Sequence, residues 1–223
     1  MAEESGPPVP LLRWCGMALV AAGVLMVVAT LLHPSSETAA TIIASEVGLV
    51  AAHFVYTLAW LLVLLGLPGL YFSQRGGGMG RLGLIGFLTA FAGTYLIAVG
   101  GNFGFFAPVL AKEAPAVLGV IAQYWPVAVI NGLAAIAFMI GYVLFGVAMT
   151  KTALPRWSGV FVAVGAPAHL LGLGISVLVS TAVWPVAILG SVSLGLGLGW
   201  SGYRLWRTPA ASDSVPLDRR SRM

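Results

Sequence analysis

Four histidine and asparagine residues lie inside long apolar stretches of this 223-residue chain. They are His53, Asn102, Asn131 and His169, and these stretches contain no Asp, Glu, Lys or Arg. If the stretches cross a membrane as helices, a rise of about 1.5 Å per residue places all four residues in the outer half of the bilayer. Polar side chains within a membrane are energetically unfavourable and are therefore candidates for function. The sequence predicts a polar pocket that opens to the outside.

Helical periodicity places further aromatic residues on the same faces as these four. His53, Tyr56 and Trp60 follow the spacing i, i+3, i+7, and Tyr95 lies seven residues before Asn102. Such faces are expected to turn towards other helices and away from lipid. The predicted ligand-binding residues are His53, Tyr56, Trp60, Tyr95, Asn102, Asn131 and His169.

Two other interpretations of these residues remain open. A lone His or Asn within a membrane often forms only an interhelical hydrogen bond, which contributes about 1 kcal/mol or less. Alternatively, His53 and His169 lie at similar depths on different helices and could be the two axial ligands of a haem b. The sequence contains no CxxCH motif, which would attach a c-type haem. It predicts no other cofactor, and these two histidines are the candidate metal ligands.

The apolar stretches contain no recognisable catalytic machinery. A retinal Schiff base needs a lysine within a span, whereas Lys112 and Lys151 lie at or beyond the ends of spans. Proton and ion pumps usually carry carboxylates within the membrane, and these stretches have none. The HExxH motif of metalloproteases is absent. The sequence favours a non-enzymatic protein and predicts no catalytic residue.

The composition requires elements that place most of the chain in an apolar environment. Hydrophobic residues make up 59% of the chain and charged residues 8%, against about 25% charged in a typical soluble domain. Water-soluble enzymes, disordered chains and disulfide-bonded scaffolds are excluded. Six apolar stretches are long enough to cross a bilayer as helices, near residues 14–32, 47–67, 82–104, 126–150, 158–178 and 184–203. The predicted fold is all-α: one polytopic membrane domain, residues 14–206, built as a compact six-helix bundle.

Basic residues orient the predicted spans. With the N-terminus inside, only Lys112 among the eleven Lys and Arg residues lies outside. This bias follows the positive-inside rule and predicts that both termini are cytoplasmic. Residues 1–13 and the basic segment 207–223 are predicted to be disordered tails. The net charge of +4 then reflects topology and contact with anionic lipid headgroups, and no nucleic-acid partner is expected.

Glycines recur seven residues apart in four of the spans, for example at Gly16 and Gly23 and at Gly165 and Gly172. Seven residues are about two helical turns, so each pair lies on one face of its helix. Small residues let helices approach closely in lipid, where packing drives their association. We expect tight crossings within the bundle. The same faces are candidate contacts for self-association or for a membrane-protein partner.

Short motifs in both halves of the chain carry a family resemblance. The second half contains an LPRWSG turn, a glycine-rich fifth span and a last span ending in GYRLWR. The first half contains LLHP, then AAH and a Leu-rich span ending in GLPGLY. In these features the chain resembles uncharacterised bacterial six-helix integral membrane proteins of the DUF4386-like type. The resemblance implies the bacterial cytoplasmic (inner) membrane and supplies no catalytic residues.

These observations predict a multi-pass inner-membrane protein with a non-enzymatic role. It would be an accessory or assembly subunit, or would bind a small ligand in the outward-facing pocket. One alternative is a haem-binding electron-transfer protein that uses His53 and His169. The other alternative is a small transporter of a neutral or apolar solute.

Overall fold

The computed structural model describes residues 9–207, and every regular element in this range is helical. The main helices, in chain order, are α1 (Val9–Leu32), α2 (Ala39–Ala44), α3 (Glu46–Gln74), α4 (Gly80–Gly101), α5 (Ala107–Glu113), α6 (Pro115–Gln123), α7 (Trp125–Met149), α8 (Arg156–Leu178) and α9 (Trp184–Trp206). The predicted all-helical class is confirmed for these residues. The parts of the predicted tails at 1–8 and 208–223 lie outside the described residues.

Six of these helices are long and follow the six apolar stretches of the sequence. They are α1, α3, α4, α7, α8 and α9, with 22 to 29 residues each. Helix α1 begins at Val9, inside the predicted tail, since Pro10 is tolerated in a first helical turn, where its missing N–H has no intrahelical partner. Helix α3 continues to Gln74, seven residues beyond the predicted stretch.

Within the described residues, five continuous helical stretches are long and apolar enough to cross a membrane. One of them, Glu46–Glu113, is 68 residues long and includes both α3 and α4. These two helices are separated by a glycine-rich turn in which Gly78 has φ 109° and Gly80 has φ 56°. A side chain at Gly78 would also overlap the carbonyl oxygen of Lys151. Glycine is therefore required here, and the turn reverses the chain so that α3 and α4 pack side by side.

The six long helices form a closed ring. Each packs against its neighbour in the chain, and α9 closes the ring against α1. Contacts between α1 and α9 run in opposite directions along the two helices, since Gly16 lies against Gly202 and Gly23 lies against Gly195. A Cβ atom built on Gly23 would lie 2.5 Å from the carbonyl oxygen of Gly195. The tight crossings expected from the glycine spacing are therefore present.

The two ends of the ring differ in their charged residues. At one end, which we call the basic end, Arg13 Nε donates a hydrogen bond of 3.3 Å to the carbonyl oxygen of Trp206, so the first and last helices meet there. At the opposite end, Lys112 Nζ forms an ion pair of 2.6 Å with Glu46 Oε2. This pair joins α5 to the start of α3 and holds the connecting helices over the ring.

Aromatic residues fill the centre of the ring. Trp60 is buried on α3 and meets Phe138 edge-on, with 5.3 Å between ring centroids. Tyr142 is fully buried on α7, and its hydroxyl lies 2.9 Å from Thr94 Oγ1. Since Thr94 donates its own proton to the carbonyl oxygen of Ala90, Tyr142 is the donor. The core is thus held by packing together with a few paired hydroxyls.

Candidate functional site

All three histidines of the chain line one cavity. His33 follows α1, His53 lies on α3 and His169 lies on α8. The cavity has a volume of about 110 Å³ and lies in the half of the ring away from the basic end. We call it the histidine cavity. Its other lining residues are Glu37, Tyr56, Thr57, Trp60, Ile97, Ala98, Gly101, Leu170 and Leu173.

The structure brings together four of the seven predicted ligand-binding residues. His53, Tyr56 and Trp60 share a face of α3, as their spacing indicates. This face points into the ring, and His169 approaches from α8. The Tyr56 ring lies between the two histidines, with centroids 6.5 Å from His53 and 5.9 Å from His169. Trp60 stacks on Tyr56 at 6.2 Å. These four side chains therefore line one site.

The other three predicted ligand-binding residues, Tyr95, Asn102 and Asn131, do not line the histidine cavity. Tyr95 is 56% exposed on the outer surface of α4, and Asn102 is exposed just after the same helix. The face of α4 that lines the cavity carries Ala98 and Gly101 instead. Asn131 lines an adjoining groove of about 370 Å³. This groove shares six lining residues with the cavity: Glu37, His53, Ile97, Gly101, Leu170 and Leu173.

Sequence reasoning missed two residues of the site, His33 and Glu37. His33 is buried, its Nδ1 donates a hydrogen bond of 2.8 Å to the carbonyl oxygen of Pro34, and its Nε2 lies 3.2 Å from Glu37 Oε1. The His33 ring also stacks on Trp184, with 6.0 Å between centroids. The four-residue spacing of His33 and Glu37 and the position of His33 at the outer end of its span were the available signals.

Charge around Glu37 opposes the effect of its partial burial. Burial alone would raise the pKa of the Glu37 carboxyl. The hydrogen bond with His33, together with electrostatic interactions with the His33 and His53 rings, outweighs burial and holds that pKa below its ordinary value. Glu37 is therefore a carboxylate at neutral pH and gives the cavity a negative oxygen ligand.

Hydrogen bonds settle the proton positions on two other groups of the cavity. His169 Nδ1 lies 3.2 Å from the carbonyl oxygen of Ala187, which can only accept, so Nδ1 carries the proton. In the neutral ring, Nε2 then keeps its lone pair. Tyr56 donates to Thr30 Oγ1 at 2.9 Å, because Thr30 donates its own proton to the carbonyl oxygen of Met26. The cavity therefore presents mostly electron-pair donors to whatever it holds.

His53 is held in place by packing. Its ring meets the His33 ring edge-on at 5.3 Å and the Phe105 ring at 6.1 Å. A Cβ atom at Gly104 would overlap the His53 ring, so only glycine allows this close approach. The ligand atoms of His33, Glu37 and His53 all lie within 4.8 Å of one another. Among the described residues, these three are the His, Cys, Asp or Glu side chains that lie close enough together to hold one metal ion.

No family model, curated protein or solved structure matched this chain. We therefore infer function from the geometry of the histidine cavity.

Proposed function

We propose that this chain is a six-span protein of the bacterial cytoplasmic membrane that binds a small ligand in the histidine cavity, with access from outside. The observation that carries the proposal is the convergence of His33, His53 and His169 from three separate segments on one open space. In a chain with three histidines, this convergence places every imidazole at one site.

The histidine cavity differs from a set of interhelical hydrogen bonds. A histidine that only joins two helices needs one partner, and His169 has such a partner in Ala187. The cavity also contains the carboxylate of Glu37 and the ring of His53 around the same space. Polar groups at membrane depth are tolerated where they line a water-filled cavity or bind a ligand. Ligand binding accounts for the whole group, whereas helix pairing accounts for His169 and, through a hydrogen bond with the backbone of Gly101, for His53.

The distribution of basic residues supports an orientation with the basic end in the cytoplasm. Arg13 and Trp206 meet at that end, and the Gly78 turn lies there against Lys151. Positively charged loops remain preferentially cytoplasmic. The histidine cavity, in the other half of the ring, then faces outside.

Cysteine labelling tests this orientation. In a background where the buried Cys15 is replaced by alanine, Ser36→Cys should react with a membrane-impermeant maleimide added to intact spheroplasts. Gly77→Cys should react only after the membrane is opened, because it lies in the turn at the basic end. The measurement is the fraction labelled before and after permeabilisation. The reverse pattern would place the histidine cavity on the cytoplasmic side.

A second labelling pair tests whether the cavity is open to water. Thr57 lines the cavity, whereas the next residue, Leu58, is 48% exposed on the outer surface of the bundle. Both lie about 16 to 18 Å along α3 from its start, well inside the apolar layer. A charged methanethiosulfonate reagent should modify Thr57→Cys at least about tenfold faster than Leu58→Cys, since such reagents need an aqueous path and an ionised thiol.

The comparison of adjacent residues controls for depth. Equal, slow modification of the two cysteines would mean that the cavity is closed to solution, and the histidines would then serve only to join helices. Both variants should elute as the parent protein does on size-exclusion chromatography, which shows that neither change unfolds the bundle.

The haem alternative has less support. His53 and His169 line the same cavity, as two axial ligands would. The histidine cavity has a volume of about 110 Å³. Pockets that bind organic ligands are usually larger, with volumes of roughly 300 Å³ or more. A porphyrin would require the ring of helices to open.

A further inference from the structure

We propose that the histidine cavity binds a divalent transition-metal ion through His33, Glu37 and His53, and that Zn²⁺ fits this site best. The proposal rests on the proposed function, because it names the class of ligand that the cavity takes.

The distances between the three side chains fit a single ion. Their ligand atoms lie within 4.8 Å of one another, and His33 Nε2 lies 3.2 Å from Glu37 Oε1. Bonds of about 2.1 Å to a tetrahedral Zn²⁺ separate its ligand atoms by about 3.4 Å. His33 and Glu37 already have this separation, and binding an ion would release to solvent the proton that His33 Nε2 donates to Glu37. The ligand atom of His53 lies within 4.8 Å of the other two, so the three side chains can supply three ligands to one ion.

His33 is oriented as metal-binding histidines usually are. One ring nitrogen of such a histidine binds the ion, and the other donates a hydrogen bond that fixes the ring. In His33 the Nδ1 proton is donated to the carbonyl oxygen of Pro34, so Nε2 faces Glu37. The stacked Trp184 and the edge-on Tyr56, with centroids 6.0 and 6.2 Å away, restrict the ring further.

The donor set and the space beside it define the type of site. Two imidazoles and one carboxylate suit Zn²⁺ and related first-row ions. Three protein ligands leave a fourth position, which distinguishes an open site from a closed structural one. The adjoining volume of about 110 Å³ has room for a water molecule in that position. His169, with its Nε2 lone pair, lines the same cavity and is available to accept a hydrogen bond from such a water.

Cobalt binding tests the proposal directly. The full-length protein is purified in detergent with a tag that contains no histidine and is treated with a chelator. It is then titrated with Co²⁺, whose visible absorption is strong in four-coordinate sites and weak in octahedral ones. We expect one equivalent of Co²⁺ to give the strong spectrum and one equivalent of Zn²⁺ to abolish it.

The chain offers matched control variants. His33→Ala and His53→Ala should each weaken Co²⁺ binding by at least tenfold, the lower end of what is lost when even an outer-shell partner is removed. Glu37→Gln keeps the shape of the side chain and should also weaken binding by at least tenfold. Glu46→Gln, at the exposed ion pair with Lys112, should not.

Each outcome bears on the proposal. Glu37→Gln is nearly isosteric, so it provides the decisive comparison if either histidine variant fails to fold. A colourless titration, an octahedral spectrum, or equal affinity in wild type and Glu37→Gln would overturn the metal site. Reactivity of Thr57→Cys together with any of these results would leave the outward-facing cavity standing, so the two proposals fail separately.

Discussion

Gly195→Val should destabilise the bundle by about 3 kcal/mol, near the upper end of what overpacking a close contact usually costs. A Cβ atom at Gly195 would lie 2.6 Å from the carbonyl oxygen of Gly23 on α1. The obstructing atom belongs to a helix backbone, which cannot rotate away as a side chain can. Since the contact between α1 and α9 closes the ring, the added side chain must push the first and last helices apart. The apparent free energy of unfolding in mixed detergent and SDS micelles measures the effect.

Gly199→Val is the matched control, four residues later on the same helix. A Cβ atom there meets nothing within 4 Å. The same substitution should therefore change the unfolding free energy by no more than about 0.5 kcal/mol, as surface substitutions generally do. If both variants lost the same stability, valine would destabilise the protein through its effect on α9 itself. The close approach of α1 and α9 would then not explain the loss.

Phe138→Ala should destabilise the protein by about 2 to 3 kcal/mol. Phe138 is fully buried and meets Trp60 at 5.3 Å and Tyr142 at 4.7 Å, so truncation leaves a cavity at the centre of the ring. In water-soluble proteins this substitution costs about 3 to 5 kcal/mol. The part that comes from transfer out of water is small here, because lipid and detergent tails are as apolar as the core. The remaining cost comes from lost packing.

The control for this prediction is Phe106→Ala. Phe106 is 63% exposed in the connection before α5. Its truncation opens no cavity and should change the unfolding free energy by no more than about 0.5 kcal/mol. A small loss for Phe138→Ala as well would mean that the ring collapses readily around the missing side chain. That result would contradict a core in which Trp60 and Tyr142 hold fixed positions.

The sequence by itself determined the helical class and the positions of the long helices. A chain that is 59% hydrophobic must satisfy its backbone polar groups internally when it lies in lipid, and long uncharged stretches do so as helices. These stretches are read directly from hydropathy, without knowledge of packing. The seven-residue spacing of Gly16 and Gly23 also predicted a close crossing, because small residues are needed wherever two backbones meet.

Part of the site was also predictable. His53, Tyr56 and Trp60 lie on one face of one helix, so their shared direction follows from spacing alone. Tyr95 and Asn102 share a face by the same rule, but the structure turns that face outwards. Spacing shows which residues point the same way, but it does not show whether that direction is inward.

Only the tertiary structure decided which helix faces form the interior. On a water-soluble helix, the polar face marks the surface. In this protein, both the buried and the exposed faces of a helix are apolar. On α3, Phe54 is exposed and Val63 is fully buried, although both are hydrophobic. Lipid accepts apolar side chains as readily as the core does, so sequence patterns give little information about helix order. The placement of His33 and Glu37 beside His53 depends on that order and on the path of the chain after α1, and both are set by packing.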